Sequence, residues 1–470
     1  MNLKEGIDFS NLFTEEAKAR KISPLKSLLK YTLDKENIYL ASGLPRVDSF
    51  PIEEISIKVR DPVDNVLKEY VINKEEEESI GLNQAQQYGN GKGNLKLMKY
   101  FYEHTNLIHQ PKYKNWNVIP SAGNTDALYK MLILFFKRHM PILISRWAYP
   151  TALETFSGFG LQLLILEMDE QGIIPDSLDK VVQEWNQNNP DNCCKFIYIV
   201  PCGQNPTGAT MGLQRRQEIY KLAQKYNLLI IEDDPYYYLQ LPEDINLIDK
   251  QEINTKHDEF KYNTLLPSFL SLDVDGRVIR FDSVAKILAP GFRVGWITCQ
   301  QNMIDKLQYI NEVSIQFPSG HSQALLSKIL IDAWKQEKYE IHIANIRKEF
   351  YFRRNIVIQQ INKRLGNMVS YSVPKAGMFL WLKPNLPKKL LNENNQVNKA
   401  TMEALFNKLV EHHIIIVPGV FFDSINFKHD NDLTLPGAPY IRLCYTFANL
   451  DLVLDGIDRI ANTLKDFGCE

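Results

Sequence analysis

Short apolar runs alternate with amphipathic segments over residues 116–300 of the chain. The runs end in turn-forming or polar residues, and they are WNVIP, PILIS, KFIYIVPC, LLIIEDD, RVIRFDS and VGWITCQ. A strand that helices cover on both faces is apolar along its whole length, whereas a strand with one solvated face alternates. The pattern therefore predicts an α/β domain in which a mostly parallel sheet is sandwiched by helices.

Helical segments follow several of these runs, namely NTDALYKMLILFFKR, WAYPTALETF and LQRRQEIYKLAQKY. In the last segment one apolar stripe recurs at helical spacing, formed by Ile219, Leu222, Ala223 and Tyr226. We interpret this stripe as a surface that packs on the core, which is the usual role of such a pattern.

A smaller domain is predicted after a long helical pattern near residues 335–365. It contains the strand-like segments GMFLWL, IIIVPG and YIRLCYTF and a helix near residues 401–411, which indicate an α+β piece. We expect an N-terminal segment (1–45), a large α/β domain (46–345) and a small C-terminal α+β domain (346–470). The polar stretches 74–79, 250–263 and 385–398 are predicted to be solvated loops.

Composition excludes several classes of function. The 470-residue chain is 44% apolar and 23% charged, with a formal net charge of −2, so it has no electrostatic reason to bind nucleic acid or an anionic membrane. Its six cysteines lack a CxxC pair and metal-ligand spacing, which favours free thiols and no metal site. No apolar run approaches the ~18–20 residues of a membrane helix. The first residues lack a secretory signal, so we expect a cytoplasmic protein.

Polar residues are concentrated just after the predicted strands, where open α/β sheets bind ligands. GQNPTG (203–208) follows KFIYIVP, and a plain turn is the alternative interpretation. EDDPYYY (232–238) follows LLII. Acids placed directly after a buried strand are costly unless they are paired, although an N-terminal helix cap is the alternative.

Two further motifs suggest an anion site. SVAK (283–286) follows RVIRFD, and Arg293 comes seven residues after Lys286, beside a Pro-Gly pair. The alternative for the lysine is a surface group with a partly buried stem. SAGNT (121–125) opens a predicted helix, where small residues leave backbone N–H groups available to phosphate.

The order and separation of these motifs resemble one protein family. The chain resembles the fold-type I pyridoxal-phosphate aminotransferases, in particular the fungal aromatic amino acid, 2-aminoadipate and kynurenine aminotransferases. The segment FLSLDVDGRVIRFDSVAKILAPGFRVGW is similar to the lysine segment of that group almost residue for residue. ARKISPLK, YLASGLP, QYGNGKG, PCGQNPTG, IEDDPYYYLQ, PKAGMFLW and IIIVPGVFF fall in the group's order, so the resemblance covers about residues 10–465.

The resemblance implies a role for each matching residue. Lys286 would hold pyridoxal 5′-phosphate as a Schiff base and later move the proton at the substrate Cα; we expect this amine to be buried. Asp233 would pair with the protonated pyridine nitrogen, with Asp234 as a capping residue. Tyr236 and Asn205 would donate hydrogen bonds to the 3′ oxygen of the cofactor.

The phosphate-binding and stacking residues follow from the same resemblance. Arg293 and Ser283 would bind the phosphate, together with Asn124 and Thr125 at the helix start, because a planar guanidinium suits phosphate geometry. Tyr149 would stack on the pyridine ring, and plain core packing is its alternative.

The remaining positions concern the substrate and a partner subunit. Arg442 would bind the substrate α-carboxylate through two hydrogen bonds, the alternative being an arginine on an edge strand. Asn205, Gly43 and Lys26 would border the substrate, and the N-terminal segment would pack with the small domain and this site. Tyr88 would reach the phosphate of a partner subunit, which implies a homodimer with active sites at its interface.

Four positions depart from the family pattern and leave the substrate open. Ala285 stands where many relatives have serine, Ser42 replaces a frequent glycine, and Lys26 replaces an arginine of some relatives. Trp147 stands where relatives often have proline, so we expect a trans peptide bond there because a cis bond without proline costs about 3–4 kcal/mol. The resemblance also implies a cis bond between Asn205 and Pro206.

The implied reaction is amino transfer from aromatic amino acids to 2-oxoglutarate, with 2-aminoadipate or kynurenine as further donors. An alternative keeps the cofactor and changes the reaction to a β-lyase or a decarboxylase, because the groups around the bound substrate decide which bond breaks. A non-enzymatic regulator is the third hypothesis. Regulators of this kind carry a DNA-binding module before the aminotransferase-like domain, and here the resemblance already begins near residue 10.

Overall fold

The computed structural model describes residues 3–28, 31, 34, 36–38, 40–41, 43–245, 250–256, 258–393, 396–427 and 437–469. The chain forms two compact units. Unit 1 comprises Met1–Arg138, Leu229–Pro235 and Pro267–His342, and unit 2 comprises His139–Leu228, Tyr236–Leu266 and Ile343–Glu470. The division into 1–45, 46–345 and 346–470 is a different partition and stays a prediction.

The strands are two to six residues long, and their burial ranges from complete to alternating. In chain order they are β1 (Ile55–Arg60), β2 (Leu67–Ile72), β3 (Trp116–Ser121), β4 (Pro141–Ser145), β5 (Gln162–Leu166), β6 (Met168–Asp169), β7 (Gly172–Ile173), β8 (Phe196–Ile199), β9 (Leu229–Asp233), β10 (Val278–Ser283), β11 (Gly295–Gln300), β12 (Val369–Ser370), β13 (Phe379–Pro384), β14 (Val417–Pro418) and β15 (Ile441–Cys444).

The helices range from single turns to one helix of 30 residues. In chain order they are α1 (Glu15–Ala19), α2 (Pro24–Ser27), α3 (Leu82–Ala85), α4 (Leu95–His109), α5 (Asn124–Phe135), α6 (Pro150–Gly158), α7 (Pro175–Asn188), α8 (Leu213–Lys225), α9 (Lys250–Thr255), α10 (Phe269–Leu272), α11 (Gln301–Val313), α12 (Gly320–Ser327), α13 (Lys335–Arg364), α14 (Lys399–Glu411) and α15 (Leu450–Asp466).

Unit 1 contains four adjacent strands in the order β3-β11-β10-β9. β10 runs parallel to β9, and β11 is antiparallel to both β10 and β3. Every residue of β10 and β11 is buried, as predicted for apolar runs that helices cover. Helix α5 follows β3 directly and packs against β3, β10 and β11.

Unit 2 contains the parallel strands β8, β4 and β5, with β4 in the middle. Helices α6, α7 and α8 follow β4, β7 and β8 along the chain, and two of them begin with proline at the first helical position, where its missing N–H costs nothing. Apolar runs that form mostly parallel strands and alternate with helices confirm the predicted α/β class.

Unit 2 also contains the predicted α+β piece. Its sheet has the order β12-β13-β15-β14 and all its pairs are antiparallel. The end of α13, α14 and α15 pack on it through one apolar core that includes Leu382, Leu405, Ile441 and Ile457. Helix α14 starts at an N-cap asparagine, Asn398, whose side chain accepts from the Thr401 N–H at 2.8 Å.

Some local predictions need correction. The stretch 250–263 is not a plain loop, because α9 occupies its start and Phe260 is buried with Leu241, Ile253 and Tyr351. Arg347 explains part of this order, since its guanidinium donates to the carbonyl oxygens of Gln240 and Phe260. In the described part of the chain, no helix is long and apolar enough to cross a membrane.

The packing of the α+β piece gives a stability prediction. We expect Leu405→Ala to lower the free energy of unfolding by about 2–5 kcal/mol, because it leaves a cavity in a fully buried site. The measurement is denaturant unfolding of the purified protein. Leu452→Ala is the matched control, because Leu452 lies on α15 with 62% of its surface exposed. Equal effects of the two substitutions would contradict the assigned core.

Candidate active site

Three of the sequence motifs meet at one edge of the strands in unit 1. Ser121 at the end of β3 lies opposite Gly295, and Gly295 lies opposite Ser283 at the end of β10. Phe281 of β10 lies opposite Asp233 at the end of β9. The carboxyl ends of β3, β10 and β9 therefore lie at the same edge, which is where open α/β sheets bind ligands.

Asp233 and Asn124 form the first contact between these motifs. The Asn124 Nδ2 donates to Asp233 Oδ1 at 2.6 Å, and Asp233 is 8% exposed. Asn124 Oδ1 is buried and has no hydrogen-bond partner among the described residues. This hydrogen bond from the amide fixes the orientation of the Asp233 carboxylate.

The start of α5 and Arg293 form a cradle of backbone and guanidinium. Gly123 has a φ of +95°, and a Cβ at this position would lie 2.7 Å from Arg293 Nη2. Arg293 is itself in the left-handed region with a φ of 51°, and its Nη2 donates to the Ala122 carbonyl at 2.8 Å. Thr125 is exposed in the first turn of the helix. This arrangement brings a cation to a helix N-terminus, which suits phosphate.

Lys286 lies in the turn that follows β10. Ser283 is 6% exposed and its Oγ accepts from the Ala285 N–H at 3.1 Å. Lys286 itself is exposed in the single chain, so the expectation of a buried amine is wrong. The strand ends at Ser283, and a turn closed by Leu288 N–H to Val284 O at 2.8 Å carries Lys286 away from the buried strand.

Two of the other candidates of unit 1 lie at exposed positions. Gly43 is exposed, and Tyr88 is 66% exposed in the loop after α3. Lys26 belongs to α2, and its side chain lies outside the described structure, as does the whole of Ser42. The expected roles of these four residues stay predictions.

In unit 2, Arg442 contacts two aromatic rings. It stands on β15, and its guanidinium carbon is 4.2 Å from the ring centre of Phe379 and 4.9 Å from that of Phe422. Its Nη1 donates to Asn205 Oδ1 at 2.5 Å. Its Nε is buried and lacks a hydrogen-bond partner among the residues that the structure describes. The Asn205 amide therefore fixes one side of this guanidinium, while the Nε donor could bind a ligand.

Burial lowers the pKa of Arg442, while the nearby Tyr236, Cys444 and Tyr149 oppose this shift. Tyr236 is 5% exposed and its ring packs edge-on against Phe379 at 5.9 Å. Tyr149, immediately before α6, is 38% exposed. A partly desolvated guanidinium gains more from a carboxylate than a solvated one does, so the surroundings of Arg442 favour an anionic ligand.

The loop 203–208 approaches another loop through glycines. Gly203 has a φ of +50°, and a Cβ on it would lie 2.6 Å from the backbone nitrogen of Gly377. Gly377 has a φ of +79°, and its Cβ would lie 2.9 Å from the carbonyl oxygen of Gly203. The Asn205–Pro206 bond is cis, as expected. The two glycines let backbone pack on backbone and so fix the loop that carries Asn205.

Trp147 holds the same loop from another side. Its carbonyl oxygen accepts from Gln204 Nε2 at 2.7 Å and from Ser145 Oγ at 2.8 Å. Asn205–Pro206 is the only cis bond among the described residues, so the bond at Trp147 is trans as expected. The ring of Trp147 packs against Tyr440 and Trp381 with centroid distances of 5.2 and 5.7 Å.

Several residues around Arg442 and near Asp233 were not predicted from the sequence. Phe379 and Phe422 flank Arg442, and Arg280 forms ion pairs with Glu232, Asp234 and Asp282 beneath the edge at Asp233. The interpretation of Asp234 as a helix cap is therefore incomplete. A period-two repeat of charge in apolar strands, Glu232-x-Asp234 and Arg280-x-Asp282, was the available signal.

The groups in unit 1 fit the cofactor that the resemblance implies. A primary amine, a fixed carboxylate and a guanidinium at a helix start match the aldehyde, ring nitrogen and phosphate of pyridoxal 5′-phosphate. The unpartnered Asn124 Oδ1 and the close approach of the Arg293 guanidinium to the backbone of Gly123 are the observations that favour a ligand there. Asn205, Tyr236, Tyr149 and Arg442 form a separate set in unit 2.

Comparisons with known proteins agree with this chemistry. Residues 63–457 match the family described as aminotransferase class I and II. An aromatic amino acid aminotransferase of Schizosaccharomyces pombe is 33% identical, covering 98% of this chain and 99% of the relative. An L-tyrosine:2-oxoglutarate aminotransferase of Serpula lacrymans is 31% identical, covering 97% of this chain and 89% of the relative.

A solved structure extends the likeness to the fold. The crystal structure of the aminotransferase Aro8 from Candida albicans aligns with a TM-score of 0.87 at 30% identity. The alignment covers 99% of this chain and 100% of that one. The type I fold predicted from the sequence is thereby confirmed. The chain belongs to the class I and II aminotransferases, and it is a pyridoxal-phosphate-dependent enzyme of that family.

Proposed function

We propose that this aminotransferase transfers the amino group of aromatic amino acids to 2-oxoglutarate. The observation that carries the proposal is Arg442, a guanidinium with an unpartnered Nε that lies against the rings of Phe379 and Phe422. Such a group binds a carboxylate beside aromatic surface. The names of the relatives from Schizosaccharomyces pombe and Serpula lacrymans support aromatic donors and a 2-oxoglutarate acceptor.

Six residues of unit 1 would hold the cofactor. Ser283, Arg293, Asn124 and Thr125 would bind its phosphate, and Asp233 would keep its ring nitrogen protonated. Lys286 would bind its aldehyde carbon and, once released, move the proton at the substrate Cα. Bound pyridoxal phosphate supplies an electron sink that stabilises negative charge at that carbon.

Four residues of unit 2 would orient the substrate and the ring. Arg442 would bind the α-carboxylate that donor and acceptor share, while Asn205 holds the other side of the guanidinium. This fixes which bond at Cα faces the ring and so selects proton removal. Tyr236 and Asn205 would donate to the 3′ oxygen of the cofactor, and Tyr149 would cover one face of the ring and exclude water.

The assembly and the specificity segment complete the proposal. Tyr88 is exposed, which suits a residue that reaches a partner subunit, and we propose a homodimer in which Tyr88 binds the partner's cofactor phosphate. Gly43 and Lys26 would border the substrate side chain. 2-Aminoadipate and kynurenine would enter the same site as further donors, and the enzyme would act in the cytoplasm.

Tyrosine and 2-oxoglutarate test the reaction. We expect purified enzyme with added cofactor to form glutamate in a tyrosine-dependent manner, because both substrates present an α-carboxylate to Arg442. Chromatographic measurement of glutamate checks this. Release of pyruvate and ammonia from an amino acid in the absence of any 2-oxo acid would instead support a β-lyase.

Lys286→Ala tests the covalent attachment and the proton transfer. We expect the rate to fall by roughly 10²–10⁴-fold or more, because a positioned general base contributes about that factor. Borohydride treatment of the native enzyme should fix the cofactor on a peptide that contains Lys286, and mass spectrometry would detect it. Lys221→Ala is the control, since Lys221 is an exposed lysine of α8. Label on another lysine would contradict the assignment.

Arg442→Gln tests the carboxylate contact. Loss of a charge-assisted bond costs about 1.5–3 kcal/mol, so we expect kcat/KM to fall by roughly 10–150-fold for both tyrosine and 2-oxoglutarate. Steady-state kinetics with each substrate varied in turn checks this. Arg459→Gln serves as the control because Arg459 forms an exposed ion pair with Asp455. A loss confined to one of the two substrates would exclude a shared carboxylate site.

A further inference from the structure

Four charged side chains are buried together in unit 1 beside Asp233. Arg280 contacts Asp282 through Nε at 2.9 Å and Nη2 at 2.8 Å. Its Nη1 is 3.1 Å from Glu232 and 3.4 Å from Asp234. None of the four side chains is more than 1% exposed. One guanidinium thus faces three carboxylates out of contact with water.

The network lies on the opposite face of the strands from the cofactor-binding groups. Successive side chains of a strand alternate between its two faces. Glu232 and Asp234 therefore point away from Asp233 on β9, and Arg280 and Asp282 point away from Ser283 on β10. The register places Arg280 beside Glu232 and Phe281 beside Asp233. Only the thickness of a strand separates the three acids from Asp233.

Trp296, His104 and Tyr339 are uncharged neighbours of the network. Trp296 lies opposite Asp282 on β11 and is 1% exposed. Burial lowers the pKa of His104 to about 4, and Arg280 adds to that shift, so this imidazole is neutral. Burial also raises the pKa of Tyr339, with a contribution from Asp282, so its hydroxyl keeps its proton. Neither ring supplies a positive charge to the three acids.

The pKa of Asp282 responds to the charges around it. Burial raises its pKa, Arg280 opposes this rise, and Glu232 and Asp233 add to it. The charge of Asp233 therefore acts on Asp282 through the strand, and the same interaction acts on Asp233 in return. Without Arg280, three carboxylates would repel a fourth at short range in a medium of low dielectric constant.

Stability alone does not account for such a network. Apolar residues of similar volume often replace a buried ion cluster without loss of stability, because the charges lose their hydration on burial. A buried arginine with three acids directly behind a functional carboxylate is better explained by its effect on that carboxylate.

We propose that Arg280 is a positioning residue for Asp233, and that its positive charge offsets Glu232, Asp234 and Asp282 so that Asp233 stays ionised beneath the cofactor. This role rests on the proposed pairing of Asp233 with the ring nitrogen. Arg280 acts through Asp233 and does not itself touch cofactor or substrate.

Arg280→Met tests the charge while retaining much of the side-chain length. We expect the dissociation constant of pyridoxal phosphate to rise by about tenfold or more, the change that corresponds to one pKa unit of differential stabilisation. Fluorescence titration of the apoenzyme measures it. Arg277→Met is the matched control, because Arg277 is a buried arginine immediately before β10 that pairs with Asp275 at 2.9 Å. Equal affinities in the two variants would overturn the proposal.

Two further variants separate charge from packing. Arg280→Met combined with Asp282→Asn removes one of the uncompensated acids, so we expect it to bind the cofactor more tightly than Arg280→Met alone. A structural role of Arg280 would predict no such recovery.

Asp282→Asn alone keeps Arg280, so it tests the proposal even if the Arg280→Met variant does not fold. We expect it to move the acid limb of the pH profile of kcat, and of the absorbance of the bound cofactor, to lower pH. A shift to higher pH, or none, would overturn the proposal.

Asp233→Asn distinguishes the inference from the proposed function. If Asp233→Asn lowers cofactor affinity and kcat while Arg280→Met behaves like Arg277→Met, only the role of Arg280 is wrong. If Asp233→Asn changes neither quantity, the assigned role of Asp233 is wrong, and the role of Arg280 is wrong with it.

Discussion

Charged side chains at the ends of buried strands lose their hydration, and other protein groups must replace it. Unit 1 meets this constraint with a fixed donor for each acid. Glu232 accepts from the N–H groups of Phe269 and Leu270 at 2.8 and 3.2 Å, Asp233 accepts from Asn124, and Asp282 accepts from Arg280. These donors come from different segments of the chain, so the acids tie α5, α10 and β10 to the end of β9. The same bonds that make the charges tolerable also orient the carboxylate that would face the cofactor.

Arg442, the candidate substrate-binding cation of unit 2, has partners of a different kind. Arg442 has one amide partner, Asn205, and two aromatic rings in place of a carboxylate. The position of Phe422 depends on the segment 419–427, which Asp423 anchors by ion pairing with Arg146. The protein therefore holds the guanidinium in place with neutral groups and leaves its charge for a ligand. A carboxylate partner from the protein would have removed that capacity.

The strands and helices that carry the site were predictable from sequence because each is a local pattern. The runs at β3, β4, β8, β9, β10 and β11 were found as apolar runs, and helices α5, α6 and α8 were found from helical spacing. Helix α11, which follows β11, was not predicted, and α9 lies in a stretch that was predicted to be a loop. The hairpin β1–β2 was missed, although ISIKVR shows the period-two alternation of a half-buried strand. Strand order was not predictable from sequence. β11 pairs with β10, which precedes it in the chain, but its other neighbour is the much earlier strand β3.

The site residues were predictable from the resemblance more than from their chemistry. The contacts of Asn124 with Asp233 and of Asn205 with Arg442 join residues 109 and 237 positions apart, and no local pattern reports such a distance. The burial of Lys286 was expected together with the role that the resemblance implies, whereas β10 ends at Ser283 and the turn after it carries Lys286 outward. The network of Arg280 needed the register of β9 and β10, which only the folded chain provides.

The backbone contact between Gly203 and Gly377 has a consequence for how this enzyme could acquire new substrates. Any side chain at either position would collide with the opposite backbone, and both residues have positive φ. Almost every substitution at these two positions would therefore destabilise the loop. Evolutionary change, in nature or in a laboratory library, is thereby directed to the side chains around the guanidinium. The loop that carries Asn205 would be inherited intact while the aromatic lining diverges.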